Sequence, residues 1–161
     1  MNLSIINRQR AQKINIRSFR QILETLMTEL KIVDAELGIT LVSAKEMARI
    51  NWDYLQHAGS TDVITFDHSE PKPRQKKYLL TLHGELFICV EEAMLQAGLF
   101  HTRWESELIR YAVHGVLHLL GYDDLKPHLR RTMKREENRL VRRLEKRFLL
   151  AELSSRRNIS P

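Results

Sequence analysis

Two histidines pose the chemical question in this sequence. His114 and His118 stand four residues apart in the run Tyr111-Ala112-Val113-His114-Gly115-Val116-Leu117-His118-Leu119-Leu120. The run is helical in pattern, and four residues at 3.6 per turn rotate by only about 40°, so both imidazoles face one side. From there they can converge on one cation at the roughly 2.0–2.1 Å that zinc requires. The helix is otherwise apolar, and two buried histidines without partners would each cost about 1–3 kcal/mol. A metal would satisfy them, and so would backbone groups or the nearby aspartates. Gly121 comes next and can take the left-handed conformation that ends a helix. The chain can then double back, which makes Asp123 and Asp124 both candidates for a third ligand. Three protein ligands plus a water would give the open coordination of a catalytic zinc rather than the closed one of a structural zinc.

The elements that must position this site read as short apolar strands alternating with longer amphipathic segments, an α/β or α+β layout. Residues 3–6 form a first strand and 16–30 a helical pattern. Residues 37–43 form a second strand, with Ser43 as N-cap of a helix from Ala44 to Leu55 and Glu46 in the capping-box position. Thr61-Asp62-Val63-Ile64-Thr65-Phe66 has the alternation and β-branching of a half-buried strand, and its Thr-Asp start is either turn chemistry or part of a cleft. Residues 71–77, with two prolines and the cations Lys72, Arg74, Lys76 and Lys77, read as an exposed loop that could touch RNA. Residues 84–90 are a strand, 91–97 a short helix, 105–120 the helix of the histidines, and 127–150 a basic closing helix. A single domain over residues 1–152 and a flexible tail over 153–161 are expected.

With 43% hydrophobic and 29% charged residues, the chain has the composition of a globular protein with a packed core. No run approaches a membrane span and the amino terminus lacks a signal-peptide core, so a cytoplasmic protein without membrane contact is expected. Cys89, the one cysteine, cannot form an internal disulfide and sits in an apolar run as a core residue. The net charge of +6 suggests a polyanionic partner. Twelve Lys or Arg against four Glu lie between Lys126 and Arg157. They form either a phosphate-tracking face or an ordinary solvated helix surface. The other histidines, His57, His68, His83, His101 and His128, are expected at the surface, with His83 and His128 possible neighbours of the site.

The stretch from His114 to Asp124 resembles the signature H-G-x-x-H-L-x-G-Y-D-H of the YbeY endoribonucleases. Asn51 and Tyr54, followed by Thr61-Asp62-Val63-Ile64-Thr65-Phe66, resemble that family's N-x-x-Y … T-D-V-L-S-F segment. Gly84-Glu85-Leu86-Phe87-Ile88 resembles its G-D-I-x-I strand, and all these segments occur in the family's order. The resemblance implies an α+β fold, with a mixed sheet of about four strands against several helices and a metzincin-like metal helix. It also implies one zinc ion per chain and a single-strand-specific endoribonuclease acting in ribosomal RNA maturation and ribosome quality control. Its partners would be ribosomal RNA and the ribosome or its small subunit.

Two positions depart from the family pattern. The third ligand of the family is a histidine where this chain has Asp124, so the resemblance implies a His114, His118, Asp124 set. Asp123 is the fallback ligand, and otherwise either orients a ligand histidine or caps the turn. A carboxylate adds negative charge, weakens the metal as a Lewis acid and improves the prospects of manganese or iron relative to zinc. At Leu55 the family carries an arginine used on the phosphate, a role no apolar side chain can take. Arg49 and the cations of residues 71–77 are the substitutes closest in sequence. Gly115 stands where H-E-x-x-H metalloproteases have their glutamate, which counts against a zinc peptidase. A ribosome-associated RNA-binding protein with reduced catalysis is the remaining alternative.

Overall fold

The structure is a computed structural model that describes residues 1–70 and 80–154. The expected loop cations Lys72, Arg74, Lys76 and Lys77 and the tail residues 155–161 lie outside the described residues. Four strands, β1 (Asn2–Asn7), β2 (Ile32–Val42), β3 (Val63–Asp67) and β4 (Leu80–Cys89), form one sheet in the order β1-β2-β4-β3. β1, β2 and β4 run parallel and β3 is antiparallel to β4, so the sheet is mixed and the fold α+β, as expected. The helices are α1 (Ile16–Glu29), α2 (Ala44–Leu55), α3 (Val90–Phe100), α4 (Trp104–Leu119) and α5 (Pro127–Arg147).

Alternation along the strands divides the core in two. Leu37, Ile39 and Leu41 of β2 and Leu82, Leu86 and Ile88 of β4 face the main core, where α1, α4 and α5 pack. Val42, Ile64 and Cys89 face the other side, which Met47 and Ile50 of α2 cover. α4 lies at the centre and contacts β3, β4, α3 and α5. Two glycines let it settle on the sheet. A Cβ on Gly115 would come within 2.8 Å of Leu86 Cδ2, and one on Gly84 would meet the Phe66 carbonyl oxygen at 2.7 Å.

Both β2 and β4 begin earlier than sequence alternation suggests, at Ile32 and Leu80. Their first halves carry polar outward residues such as Glu36 and His83 over a part of the sheet that α2 leaves bare, so the apolar signal there is diluted. Ser43 does cap α2, accepting from Glu46 N at 3.2 Å. The Glu46 carboxylate accepts instead from Arg8 at 2.6 Å, leaving only half of a capping box. The end of the fold also differs from expectation. A 3-10 turn over Leu150–Leu153 follows α5, Leu153 is fully buried, and Ser154 bridges to Ile14. Leu153 and Ser154 are therefore part of the packed unit, because Leu153 fills a core position and its carbonyl accepts from Asn15 N at 2.8 Å.

Candidate functional site

The candidate ligands are brought together by the way α4 ends. Gly121 has φ +97° and its N–H donates to the His118 carbonyl at 2.9 Å, while Tyr122 N–H donates to the Leu117 carbonyl at 3.0 Å. This paired pattern is the Schellman motif, which needs a left-handed residue at Gly121 and reverses the chain. The reversal carries Asp124 back beside the last turn. The ligand atoms of His114, His118 and Asp124 all lie within 4.8 Å of one another. His114 Nε2 and His118 Nε2 are 3.1 Å apart, and His118 Nε2 is 3.7 Å from Asp124 Oδ2.

Hydrogen bonding on the far side of each ring decides what that convergence means. His118 Nδ1 is 3.1 Å from the Tyr122 carbonyl oxygen, which can only accept, so Nδ1 carries the proton. His114 Nδ1 is 2.7 Å from Glu137 Oε2. Burial would push the Glu137 carboxyl up, but hydrogen bonds from His114 and Arg110 and the Lys134 charge bring it down to about 2. Glu137 is therefore ionised and His114 Nδ1 also donates. With both Nδ1 atoms protonated, two neutral rings would aim their Nε2 lone pairs at each other beside a carboxylate. Three donor atoms facing one point with no proton among them is an arrangement that a cation satisfies. For tetrahedral zinc with bonds of about 2.0–2.1 Å, donor atoms sit roughly 3.3–3.4 Å apart, close to both separations seen here. The residues thus fit a metal ion.

A cleft of about 720 Å³ opens beside these residues. Burial lowers the basicity of His114, yet Glu137, Asp62 and Asp124 outweigh it and raise its pKa. Arg110 also donates to Glu137 at 2.7 Å and to Asn138 Oδ1 at 2.7 Å, tying α4 to α5 behind the histidines. Asp123 caps the turn, accepting from Leu125 N at 2.9 Å. The orienting role considered for Asp123 is filled by Glu137 and the Tyr122 carbonyl, since these occupy the Nδ1 positions. Asp62 makes turn bonds, accepting from Val63 N at 2.8 Å, and also lines the cleft. All five remaining histidines are exposed, and none lines the cleft.

Sequence reasoning missed Glu137, which is 23 residues from His114. One signal could have found it. Glu137 falls on the same helical stripe as Met133, Leu140, Val141 and Leu144, and a carboxylate on a buried stripe needs a partner. The cations at the cleft were also unforeseen. Among the described residues they are Arg110 of α4 and Arg130 and Lys134 of α5, whereas Leu55 is 46% exposed at the end of α2 and does not line the cleft. Arg49 sits beside Glu46 on α2, outside the cleft-lining set.

A model of the Endoribonuclease YbeY family matches residues 4–145. The chain belongs to that family. Within it, Endoribonuclease YbeY of Syntrophotalea carbinolica is 33% identical over 153 residues, covering 91% of this chain and 98% of the relative. Endoribonuclease YbeY of Chlorobium phaeovibrioides is 40% identical over 96 residues, which is 60% of each chain. Among solved structures, the solution structure of TM1509 from Thermotoga maritima is similar in fold, with a TM-score of 0.63 at 23% identity over 99% of both chains. No helix among the described residues is long and apolar enough to cross a membrane.

Proposed function

We propose that this YbeY-family chain is a zinc-dependent endoribonuclease that cuts single-stranded RNA during ribosomal RNA maturation and ribosome quality control in the cytoplasm. His114, His118 and Asp124 are the proposed ligands of one zinc ion. The observation that carries the reading is the pair of Nε2 atoms, 3.1 Å apart and left on the open side of each ring by the Nδ1 bonds behind them, next to the Asp124 carboxylate. Family membership adds the reaction, since the curated relatives bear the name endoribonuclease.

When bound there, a divalent cation supplies Lewis-acid polarisation of a phosphoryl oxygen and a more acidic water. The chain's own residues do the rest. Glu137 and the Tyr122 carbonyl hold the two rings in one tautomer and orientation, and Arg110 holds Glu137 in turn. Arg110, Arg130 and Lys134 give the cleft positive charge from α4 and α5 that Leu55 cannot give from α2.

A peptidase is disfavoured by a specific contact. Gly115 carries no side chain at the position of the metalloprotease glutamate, and a Cβ there would press on the core side chains of Leu86 at 2.8 Å and Val63 at 3.3 Å, so that position faces the sheet and supplies no base. Incubating the protein with single-stranded ribosomal RNA and with casein, with and without chelator and as His114→Ala, tests the proposal. The expected result is RNA cleavage abolished by either treatment, with casein intact. Cleavage of RNA that survives both treatments would overturn the metal mechanism, and RNA binding with no cleavage would favour the non-catalytic alternative.

A further inference from the structure

The cleft has two chemically different sides. Arg130 and Lys134 lie one turn apart on α5, both line the cleft, and Arg130 Nε donates to the carbonyl of Asp124 at 3.1 Å. That bond anchors the guanidinium to the backbone of a candidate metal ligand through Nε, and Lys134 Nζ lies 3.2 Å from Glu137 Oε1 with its side chain 59% exposed to the cleft's solvent. The other side collects carboxylates. Asp62, Glu92 and Glu107 surround Tyr111, whose hydroxyl is buried with no hydrogen-bond partner in a residue only 6% exposed. At the end of α3, on this side, Phe100 lines the cleft while 68% exposed, so much of its ring is open to a ligand there.

From this division we infer how RNA sits in the cleft: Arg130 and Lys134 hold a backbone phosphate of a single strand, and Phe100 stacks one of its bases. This rests on the endoribonuclease reading and specifies the substrate seat within it. The chemistry assigns each side. A phosphodiester carries full negative charge and is recognised by a guanidinium fork with a nearby ammonium. Opposite it, the acidic side repels phosphate but accepts hydrogen bonds from the exocyclic amino groups of bases. An exposed aromatic face is the usual platform for a base that is free of a duplex, because every base has a π-face. A duplex keeps its bases stacked on each other and cannot use Phe100, so the arrangement selects single strands.

Fluorescence anisotropy with a short single-stranded RNA of mixed sequence, shown intact afterwards by gel, tests this over a series of salt concentrations. The wild-type protein is compared with Arg130→Ala, Lys134→Ala, Phe100→Leu, Phe100→Trp and Arg131→Ala. Arg131 neighbours Arg130 on α5 but does not line the cleft. Arg130→Ala and Lys134→Ala should each weaken binding several-fold and flatten the plot of log affinity against log salt by about 0.7 per lost phosphate contact. Phe100→Leu should weaken binding roughly five- to a hundredfold with the slope unchanged, and Phe100→Trp should restore it. Arg131→Ala should behave as wild type. Equal losses for Arg130→Ala and Arg131→Ala, or full affinity in Phe100→Leu, would overturn the seat while leaving the nuclease reading intact. A wild-type protein that does not bind the strand at all would overturn both.

Discussion

Ring orientation, more than the mere presence of histidines, makes residues 114–124 read as a metal centre. His114 and His118 each have an acceptor behind Nδ1, and this makes both Nε2 atoms electron-pair donors whenever the rings are neutral. The His114–Glu137 pair also sets a pH dependence in metal-free protein. The Glu137 carboxyl is depressed from 4.5 to about 2, so its contribution is present above pH 4.5 and is lost as pH falls towards 2. The His114 pKa is raised above 6.5, so its contribution is present below that value and is lost as pH rises through the folded one. Chelator-treated protein should therefore gain most from the pair between about pH 4.5 and 6.5. Thermal melts across pH should show that gain, and Glu137→Gln should flatten it; an unchanged profile would contradict the pairing. Leu55 gives a second test at this scale. Because position 55 lies outside the cleft lining, Leu55→Arg should raise kcat/KM on RNA by far less than the roughly 10²-fold an aimed donor supplies. A gain of that size would mean that α2 closes over the substrate.

Helix α4 and its ends are the elements on which the site depends. The periodicity of residues 105–120, the glycine after them and the aspartates beyond were legible in the sequence because all act locally, within one helix and its cap. Glu137, Arg110, Arg130 and Lys134 were not, since their roles depend on how α5 crosses α4, and no local pattern encodes a crossing. The early starts of β2 and β4 were hidden for a similar reason: only the sheet's bare outer face explains their polar alternation. The basic helix was ambiguous, and α5 divides the two readings. Arg139 pairs with Glu136 and Arg143 with Glu29, an ordinary solvated surface, while Arg130 and Lys134 turn to the cleft. Two substitutions probe how tightly these elements are fitted. Gly84→Ala, which would press a Cβ onto the Phe66 carbonyl, should cost about 1–3 kcal/mol in urea unfolding. Gln56, left-handed at φ +53° where α2 ends, should be better as glycine, with Gln56→Gly raising stability by roughly 0.5–1 kcal/mol. The opposite sign in either case would mean that the backbone there differs from that described.

Across the whole molecule, the mixed sheet provides a rigid floor, α4 carries the histidines over it, and the α4–α5 contact closes the cleft above. The net charge of +6 suits an RNA substrate, but the cleft itself is mixed in sign, so charge alone does not define the site. A cation held among His114, His118 and Asp124, as proposed, would give that mixed cleft a focus for phosphate. Elemental analysis of untagged protein detects such a cation without relying on activity. Wild-type protein should carry one zinc ion per chain, and His114→Ala and Asp124→Ala should each lose nearly all of it. Wild-type protein that binds no divalent metal, or His114→Ala that retains a full complement, would contradict the proposed metal site.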